Sequence, residues 1–178
     1  MKAIVSLLDE EHWRRTTDLW AELEREFGLR GVYITPFPHF SYHVAQVYDE
    51  DELGLILEQI ARHLQVFQIR ASGLGIFSGS PPVLYAPIVR TRELSEFHDA
   101  MWHHASQVAR GTVAHYDPDN WLPHITLAFG DIHRDNLPQV IRLLSERSLQ
   151  WRIAVDNLAY IERTGEGQRV RFRFEFGG

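Results

Sequence analysis

The stretch Pro38-His39-Phe40-Ser41 returns in the second half of the chain as Pro123-His124-Ile125-Thr126. The same number of positions separates the two histidines and the two hydroxyl residues. Each copy has the aromatic and β-branched composition of a β-strand, and a polar cap and an amphipathic helix follow it a few residues later. The repeat therefore extends to a strand–helix unit, and it predicts an α+β fold built from duplicated units.

The flanking sequence extends this pattern to the rest of the chain. Apolar residues at helical spacing predict helices from Asp9 to Gly28, over 49–64, from Thr91 to Gly111, and after a cap at Asp135 or Asn136. We predict strands at 2–8, 38–45, 66–77, 83–89, 123–129, 151–161 and 169–176, with an extended stretch at 32–34. In the last strand, alternation predicts Val170, Phe172, Phe174 and Phe176 on one face and arginines on the other.

These elements predict a single bilobal domain over residues 1–178. The lobe with the first motif is expected at about 1–90 and the lobe with the second at about 91–178, with strands exchanged between them. Antiparallel or mixed sheets would then surround a central cleft.

Composition excludes several classes of protein. The 178 residues include 18 Lys and Arg against 24 Asp and Glu, a formal charge of −6, which argues against gripping long duplex nucleic acid through its phosphates. The absence of Cys excludes disulfide scaffolds and thiolate chemistry. Because the N-terminus does not resemble a signal peptide and no run approaches the roughly 20 apolar residues of a membrane span, we expect a cytoplasmic protein, with a monomer favoured.

The paired motif suits chemistry at phosphorus. Residues i and i+2 of a strand share a face, so His39 emerges with Ser41 and His124 with Thr126. If the two strands lie side by side, the imidazoles flank one hollow. Displacement at phosphorus needs a base for the attacking oxygen and an acid for the leaving oxygen, and histidine, with a pKa of about 6.5, serves either role. Hydroxyls can donate to the non-bridging oxygens, and no metal or other cofactor is required.

Two His-x-Ser/Thr motifs, one in each half, resemble those of the two-histidine (2H) phosphoesterase superfamily and its 2′-5′ RNA ligase-like group. Pro-His-Ile-Thr-Leu-Ala at 123–128 is similar to that group's second motif. The resemblance implies a bilobal fold and metal-independent action on 2′,3′-cyclic or 2′-5′ phosphodiesters of nucleotides or RNA ends. It also implies His39 and His124 as acid and base, with Ser41 and Thr126 holding the phosphate.

Four further residues are candidate substrate contacts. His43 would share the face of His39 if the strand is regular, although a polar residue at the cleft rim is an equal interpretation. Tyr33 and Trp121 flank the motifs and could stack a base, or pack in the core. Arg171 could face a phosphate, but a solvated face is favoured.

Two other classes of function stay open. A module that binds nucleotides or RNA ends without turnover would keep the cleft. A histidine-rich metal-dependent hydrolase would use some of the 10 His, but neither a His-Glu-x-x-His pattern nor a thiolate supports it.

Overall fold

The computed structural model describes residues 1–165 and 167–177, which form four α-helices and ten β-strands. The helices are α1 (Glu10–Phe27), α2 (Glu50–His63), α3 (Arg92–Gln107) and α4 (Leu137–Ser145), and there are short 3₁₀ helices at Gly31–Ile34 and Ala114–Tyr116. The strands are β1 (Lys2–Leu7), β2 (His39–Tyr48), β3 (Phe67–Ser72), β4 (Gly75–Phe77), β5 (Val83–Pro87), β6 (Ala109–Thr112), β7 (His124–Ala128), β8 (Gln150–Val155), β9 (Asn157–Arg163) and β10 (Gln168–Glu175).

The helix boundaries follow from capping residues that the sequence identifies. Asp9 accepts a hydrogen bond from the backbone N–H of His12 at 2.9 Å and begins α1. Gly28 ends α1 with φ 72°, a left-handed conformation that glycine adopts without a Cβ clash. Thr91 caps α3 through the N–H of Leu94 at 3.2 Å. These predicted boundaries are confirmed.

Within the described residues, the strands form three antiparallel sheets, and each combines strands from both halves of the chain. The first sheet has the order β10-β9-β1-β2-β6. The second contains β4-β5-β7, and a bridge between Ala71 and Ile88 joins it to the pair β3-β8. Strands β4 and β5 from the first half thus lie in the sheet that carries the second motif, whereas β9 and β10 from the second half lie in the sheet that carries the first.

The helices cross between the halves as well. Helix α1 contacts β7, and helix α3 contacts β2, so each motif strand packs against a helix from the other half of the chain. Strands β2 and β7 also contact each other, which brings the two halves of the repeat together at the junction of the sheets. The α+β architecture predicted from the repeat is confirmed.

Several predicted element boundaries are wrong. Residues 66–77 form two strands because the chain turns at Gly73, whose φ is 89°. The predicted strand at 151–161 is likewise divided, at Asp156, into strands of different sheets. Helix α3 ends at Gln107, and the next residues form β6 on the edge of the first sheet. Residues 32–34 belong to a 3₁₀ helix. Pairing partners distant in sequence decide these cases, and local composition does not encode them.

A β-bulge follows the first motif and reverses the alternation of β2. Ile4 pairs with His43 and Val5 with Ser41, so Tyr42 is an extra residue with no partner in β1. His43 therefore faces the helix side of the sheet, where its ring lies 4.4 Å from the centroid of Trp102. It is 0% exposed, which corrects the prediction that His43 contacts substrate.

Two further bulges have the same effect elsewhere. In β7, Leu84 pairs with Ala128 and Tyr85 with Thr126, which leaves Leu127 as the extra residue. In β10, Val170 pairs with Ile161 and Phe172 with Tyr160. Val170 then packs on the cleft side of the first sheet, while Phe172 and Phe174 pack against the main core. The regular alternation predicted for this strand is wrong for that reason.

Burial of His43 makes stability depend on pH. Burial, reinforced by the charge of His98, lowers the pKa of His43 to about 4, so in the folded protein it stays neutral where the unfolded chain takes up a proton. Its contribution to stability is complete above pH 6.5 and is lost as the pH falls toward 4.

We expect His43→Gln to reduce the loss of stability between pH 7 and pH 5, because an amide can still pair with Tyr48 and Ser106 but does not titrate. Urea unfolding at the two pH values measures the difference. The exposed His63→Gln is the control and should leave it unchanged. An equal loss of stability in His43→Gln and in the unsubstituted chain would contradict the assignment.

Candidate active site

The two motifs meet in a cleft between the sheets. His39, Ser41 and Thr126 line a cavity of about 280 Å³, which we call the His39 chamber. His124 and Thr126 line an adjoining cavity of about 560 Å³, the His124 chamber. Tyr116, Thr126 and Phe129 border both chambers, so the two form one cleft with a histidine on each side. The structure thus brings together the four residues of the repeated motif.

Both imidazoles are oriented by the same local hydrogen bond. Nδ1 of His39 lies 2.9 Å from the carbonyl oxygen of Phe37, and Nδ1 of His124 lies 2.6 Å from that of Leu122. A carbonyl oxygen can only accept, so Nδ1 must carry the proton in each ring. The tautomer is thereby fixed, and Nε2 is left as the atom that takes up or releases a proton.

The cleft keeps both histidines neutral at neutral pH. Burial lowers the pKa of His39 to about 4, with the hydrogen bond to Phe37 opposing the shift and the charge of His124 adding to it. Burial also lowers the pKa of His124 from 6.5, against the opposing bond to Leu122. A bound anion would reverse part of the shift, because negative charge nearby stabilises the imidazolium.

Aromatic rings shape the surroundings of each histidine. The ring of Phe37 lies 5.8 Å from that of His39. His124 packs against Phe77 and Tyr85, with ring centroids 4.9 Å and 5.2 Å away. Gly75 allows this, because a Cβ at that position would lie only 2.4 Å from the Tyr85 ring. These rings exclude water from one side of each imidazole, which is the physical source of the lowered pKa values.

The 3₁₀ helix Gly31–Ile34 closes one end of the His39 chamber. Oδ2 of Asp131 accepts from the backbone N–H of Arg30 at 2.5 Å and of Gly31 at 2.7 Å. A Cβ on Gly31 would lie 1.7 Å from the carbonyl oxygen of Phe129, so only glycine fits here. Directly after this helix, Oγ1 of Thr35 donates to Oε1 of Gln168 in β10 at 2.8 Å.

Polar and cationic residues that the sequence did not single out border the same chamber: Thr35, Arg163 and Gln168. Lys2 also lines it, but the Lys2 ammonium pairs with Glu50 at the start of α2. Arg163 and Gln168 come from β9 and β10, which belong to the second half of the chain but pair beside β1. No local motif marks them, since only the strand exchange brings them to the cleft.

Three other candidate contacts lie elsewhere, which corrects those predictions. Trp121 is 1% exposed and stacks on His98 inside the core. Tyr33 packs edge-on against Trp20, and burial, together with the nearby carboxylate of Glu24, raises the pKa of Tyr33. Arg171 is the extra residue of the β10 bulge; its guanidinium faces Glu50 at 3.7 Å, and it lines neither chamber.

Within residues 1–165 and 167–177, no three His, Cys, Asp or Glu side chains are grouped closely enough to ligate a metal ion. None of the α-helices in this described part of the chain combines the length and hydropathy needed to cross a bilayer.

A cleft with two His-x-Ser/Thr strands, on two sheets that share elements from both halves, defines the class of two-histidine phosphoesterases. The chain matches the 2′-5′ RNA ligase superfamily over residues 8–167 and belongs to that family. The fold is similar to TT0787 of Thermus thermophilus, with a TM-score of 0.68 and 18% identity over 99% of this chain and 98% of that one.

A second similar structure is Usb1 of Kluyveromyces marxianus, with a TM-score of 0.50 and 12% identity over 98% of this chain and 97% of that one. Identities this low support a common fold. No curated protein matches the chain.

The contact between Asp131 and the 3₁₀ helix can be tested by substitution. We expect Asp131→Ala to lower the free energy of unfolding by about 1 kcal/mol, because two backbone N–H groups lose a charged acceptor. Amide hydrogen exchange at Arg30 and Gly31 should accelerate. The exposed Asp135→Ala serves as the control. Unchanged exchange at both amides would show that Asp131 does not hold this segment.

Proposed function

We propose that the chain is a phosphodiesterase that opens 2′,3′-cyclic phosphates or cleaves 2′-5′ phosphodiesters of nucleotides or RNA ends. The observation that carries the proposal is the matched pair of imidazoles across one cleft, each with Nδ1 bonded to a backbone carbonyl and Nε2 left to exchange a proton. Membership of the 2′-5′ RNA ligase superfamily supports the same class of substrate.

The two histidines take opposite roles in this reaction. His39, whose pKa is lowered to about 4, is the better candidate for the base, since it stays neutral and can take a proton from water at Nε2. The water oxygen forms a bond to phosphorus as the bond to the ribose oxygen breaks. His124, once protonated beside the bound anion, donates its Nε2 proton to that departing oxygen. The proton gained by His39 then returns to solvent.

The hydroxyls of Ser41 and Thr126 are suited to the phosphate itself. They belong to the same strands as the histidines and line the cleft. As donors they can hydrogen-bond to the two non-bridging oxygens, where negative charge must be held during displacement. This division of labour uses no metal ion.

The dimensions and lining of the cleft favour a short substrate. The His124 chamber, at about 560 Å³, lies within the range of small-ligand sites and is bordered by Phe77, His115, Tyr116 and Phe129. Rings of this kind can stack a nucleobase without reading its sequence. The formal charge of −6 disfavours a long polyanion, so we propose a nucleotide or the end of an RNA as the substrate.

Substitution of each histidine tests the proposal. We expect His39→Ala and His124→Ala each to lower kcat for 2′,3′-cyclic mononucleotides by at least about 10²-fold, the usual contribution of one acid or base. The exposed His133→Ala is the matched control, and EDTA should have no effect. Phosphorus NMR resolves the products.

Binding of cyclic phosphates without turnover by the unsubstituted chain would instead favour a non-catalytic module, and loss of activity in EDTA would favour a metal-dependent hydrolase.

A change of leaving group tests the assignment of acid and base. Nitrophenolate needs no proton to depart, so we expect His124→Ala to recover most activity on a nitrophenyl ester of a nucleoside phosphate, whereas His39→Ala should not. Initial rates on the ester and the cyclic nucleotide give the comparison. Recovery by His39→Ala alone would reverse the two roles.

The lowered pKa values also predict the pH dependence. kcat/KM should fall as the pH drops through about 4, where His39 becomes protonated. It should fall again as the pH rises through the pKa of His124, which burial places below 6.5. The optimum is therefore expected on the acid side of pH 6.5 in overlapping buffers, and a rate that still rises above pH 7 would contradict this.

A further inference from the structure

Two tryptophans contact the motif strands through the same kind of hydrogen bond. Each tryptophan lies in the half of the chain opposite to the strand it contacts. The indole Nε1–H of Trp121 donates to the carbonyl oxygen of Ser41 at 2.8 Å. The indole Nε1–H of Trp20 donates to the carbonyl oxygen of Thr126 at 3.1 Å. The second half thus contacts the hydroxyl residue of the first motif, and the first half contacts that of the second. We call these contacts the two indole bonds.

The carbonyls need these donors because the motif strands meet at edges of their sheets. Strand β6 pairs with β2 only from Ala45 to Tyr48, so near Ser41 this side of β2 faces β7. Strand β7 is the last strand of its own sheet. A buried carbonyl without a partner is costly, and the two indoles supply donors where a neighbouring strand would otherwise do so.

The two indole bonds also lie at matching points of the repeat. The extra residue of the bulge is Tyr42 in β2 and Leu127 in β7. Each indole donates to the residue just before that extra residue. A bulge disrupts the ladder, so the position of the preceding residue depends on contacts outside the sheet. The side chain of that residue is the hydroxyl that lines the cleft.

The donors themselves are firmly placed. Trp121 is 1% exposed and lies parallel to His98, with ring centroids 3.7 Å apart. Nε2 of His98 lies 2.9 Å from the carbonyl oxygen of Tyr42, so the stacked pair holds two successive carbonyls of the bulge. Trp20 is 4% exposed and meets the ring of Tyr33 edge-on at 6.1 Å.

We propose that Trp20 and Trp121 are positioning residues. Trp20 orients the hydroxyl of Thr126 and Trp121 orients that of Ser41, so each half of the chain positions the phosphate-binding hydroxyl of the other half. The inference rests on the proposed function for its kinetic consequence. Without the indole donor, the edge of the strand and the hydroxyl it carries can move. A shift of about 1 Å at a reacting site can lower the rate by about 10²-fold.

The first test removes the donors one at a time. We expect Trp121→Phe and Trp20→Phe each to lower kcat for 2′,3′-cyclic mononucleotides by about tenfold or more, with KM nearly unchanged. Replacing the same tryptophans by 3-benzothienylalanine keeps the size of the ring and removes only the N–H, which excludes a cavity as the cause. Trp151→Phe is the matched control, because its indole also donates to a backbone carbonyl, that of Ser148 at 2.9 Å, away from the cleft.

Double-mutant cycles separate positioning from general destabilisation. If Trp121 acts through the Ser41 hydroxyl, its substitution should have no further effect on kcat in a Ser41→Ala chain but its full effect in a Thr126→Val chain. Trp20 should show the opposite pattern. Effects that multiply independently in every background, or an equal loss in Trp151→Phe, would overturn the proposal.

The same cycles on the binding of inorganic phosphate, followed by phosphorus NMR, give a readout without turnover. The chain could bind phosphate with Trp121 coupled to Ser41 and Trp20 coupled to Thr126, yet convert no cyclic nucleotide. That result would support the positioning role of the tryptophans and contradict the proposed function. Turnover without coupling would do the reverse. A chain that neither converts cyclic nucleotides nor binds phosphate would overturn both.

Discussion

The cleft lies where the edges of two sheets meet. The buried backbone N–H and C=O groups at these edges need hydrogen-bond partners, and the structure of the cleft depends on this requirement. Strands β2 and β7 meet at this junction, and neither completes a ladder with the other. Side chains supply the missing donors, and the histidine rings in turn donate to backbone carbonyls two residues before them. The same constraint thus fixes the strands and the tautomers of the imidazoles.

Local sequence predicts the parts of this arrangement that local chemistry controls. The caps at Asp9, Thr91 and Gly28 mark the helices correctly because each acts within one turn of its own backbone. The pairing of the two motifs also follows from the repeat, since equal spacing and composition are visible in the chain itself. The assignment of catalytic roles to His39, Ser41, His124 and Thr126 stays a prediction.

The sequence could not predict features that depend on pairing register and on distant partners. Strict alternation would place His43 beside His39, but the extra residue Tyr42 turns it into the core. Arg171 is the extra residue of the bulge in β10 and lines neither chamber. Arg163 reaches the cleft through strand exchange, and no pattern around it indicates this. Bulges and long-range contacts carry no sequence signature of their own here.

The exchange of strands and helices between the halves has a consequence for how the two copies can change over time. Each motif strand packs on a helix encoded in the opposite copy. A substitution in that helix therefore changes the packing of a strand that belongs to the other copy. The duplicated units therefore cannot drift apart as separate modules, and compensating substitutions should arise across the internal repeat instead of within it. A gene fragment that encodes one copy would specify both a motif strand without its supporting helix and a helix without its strand.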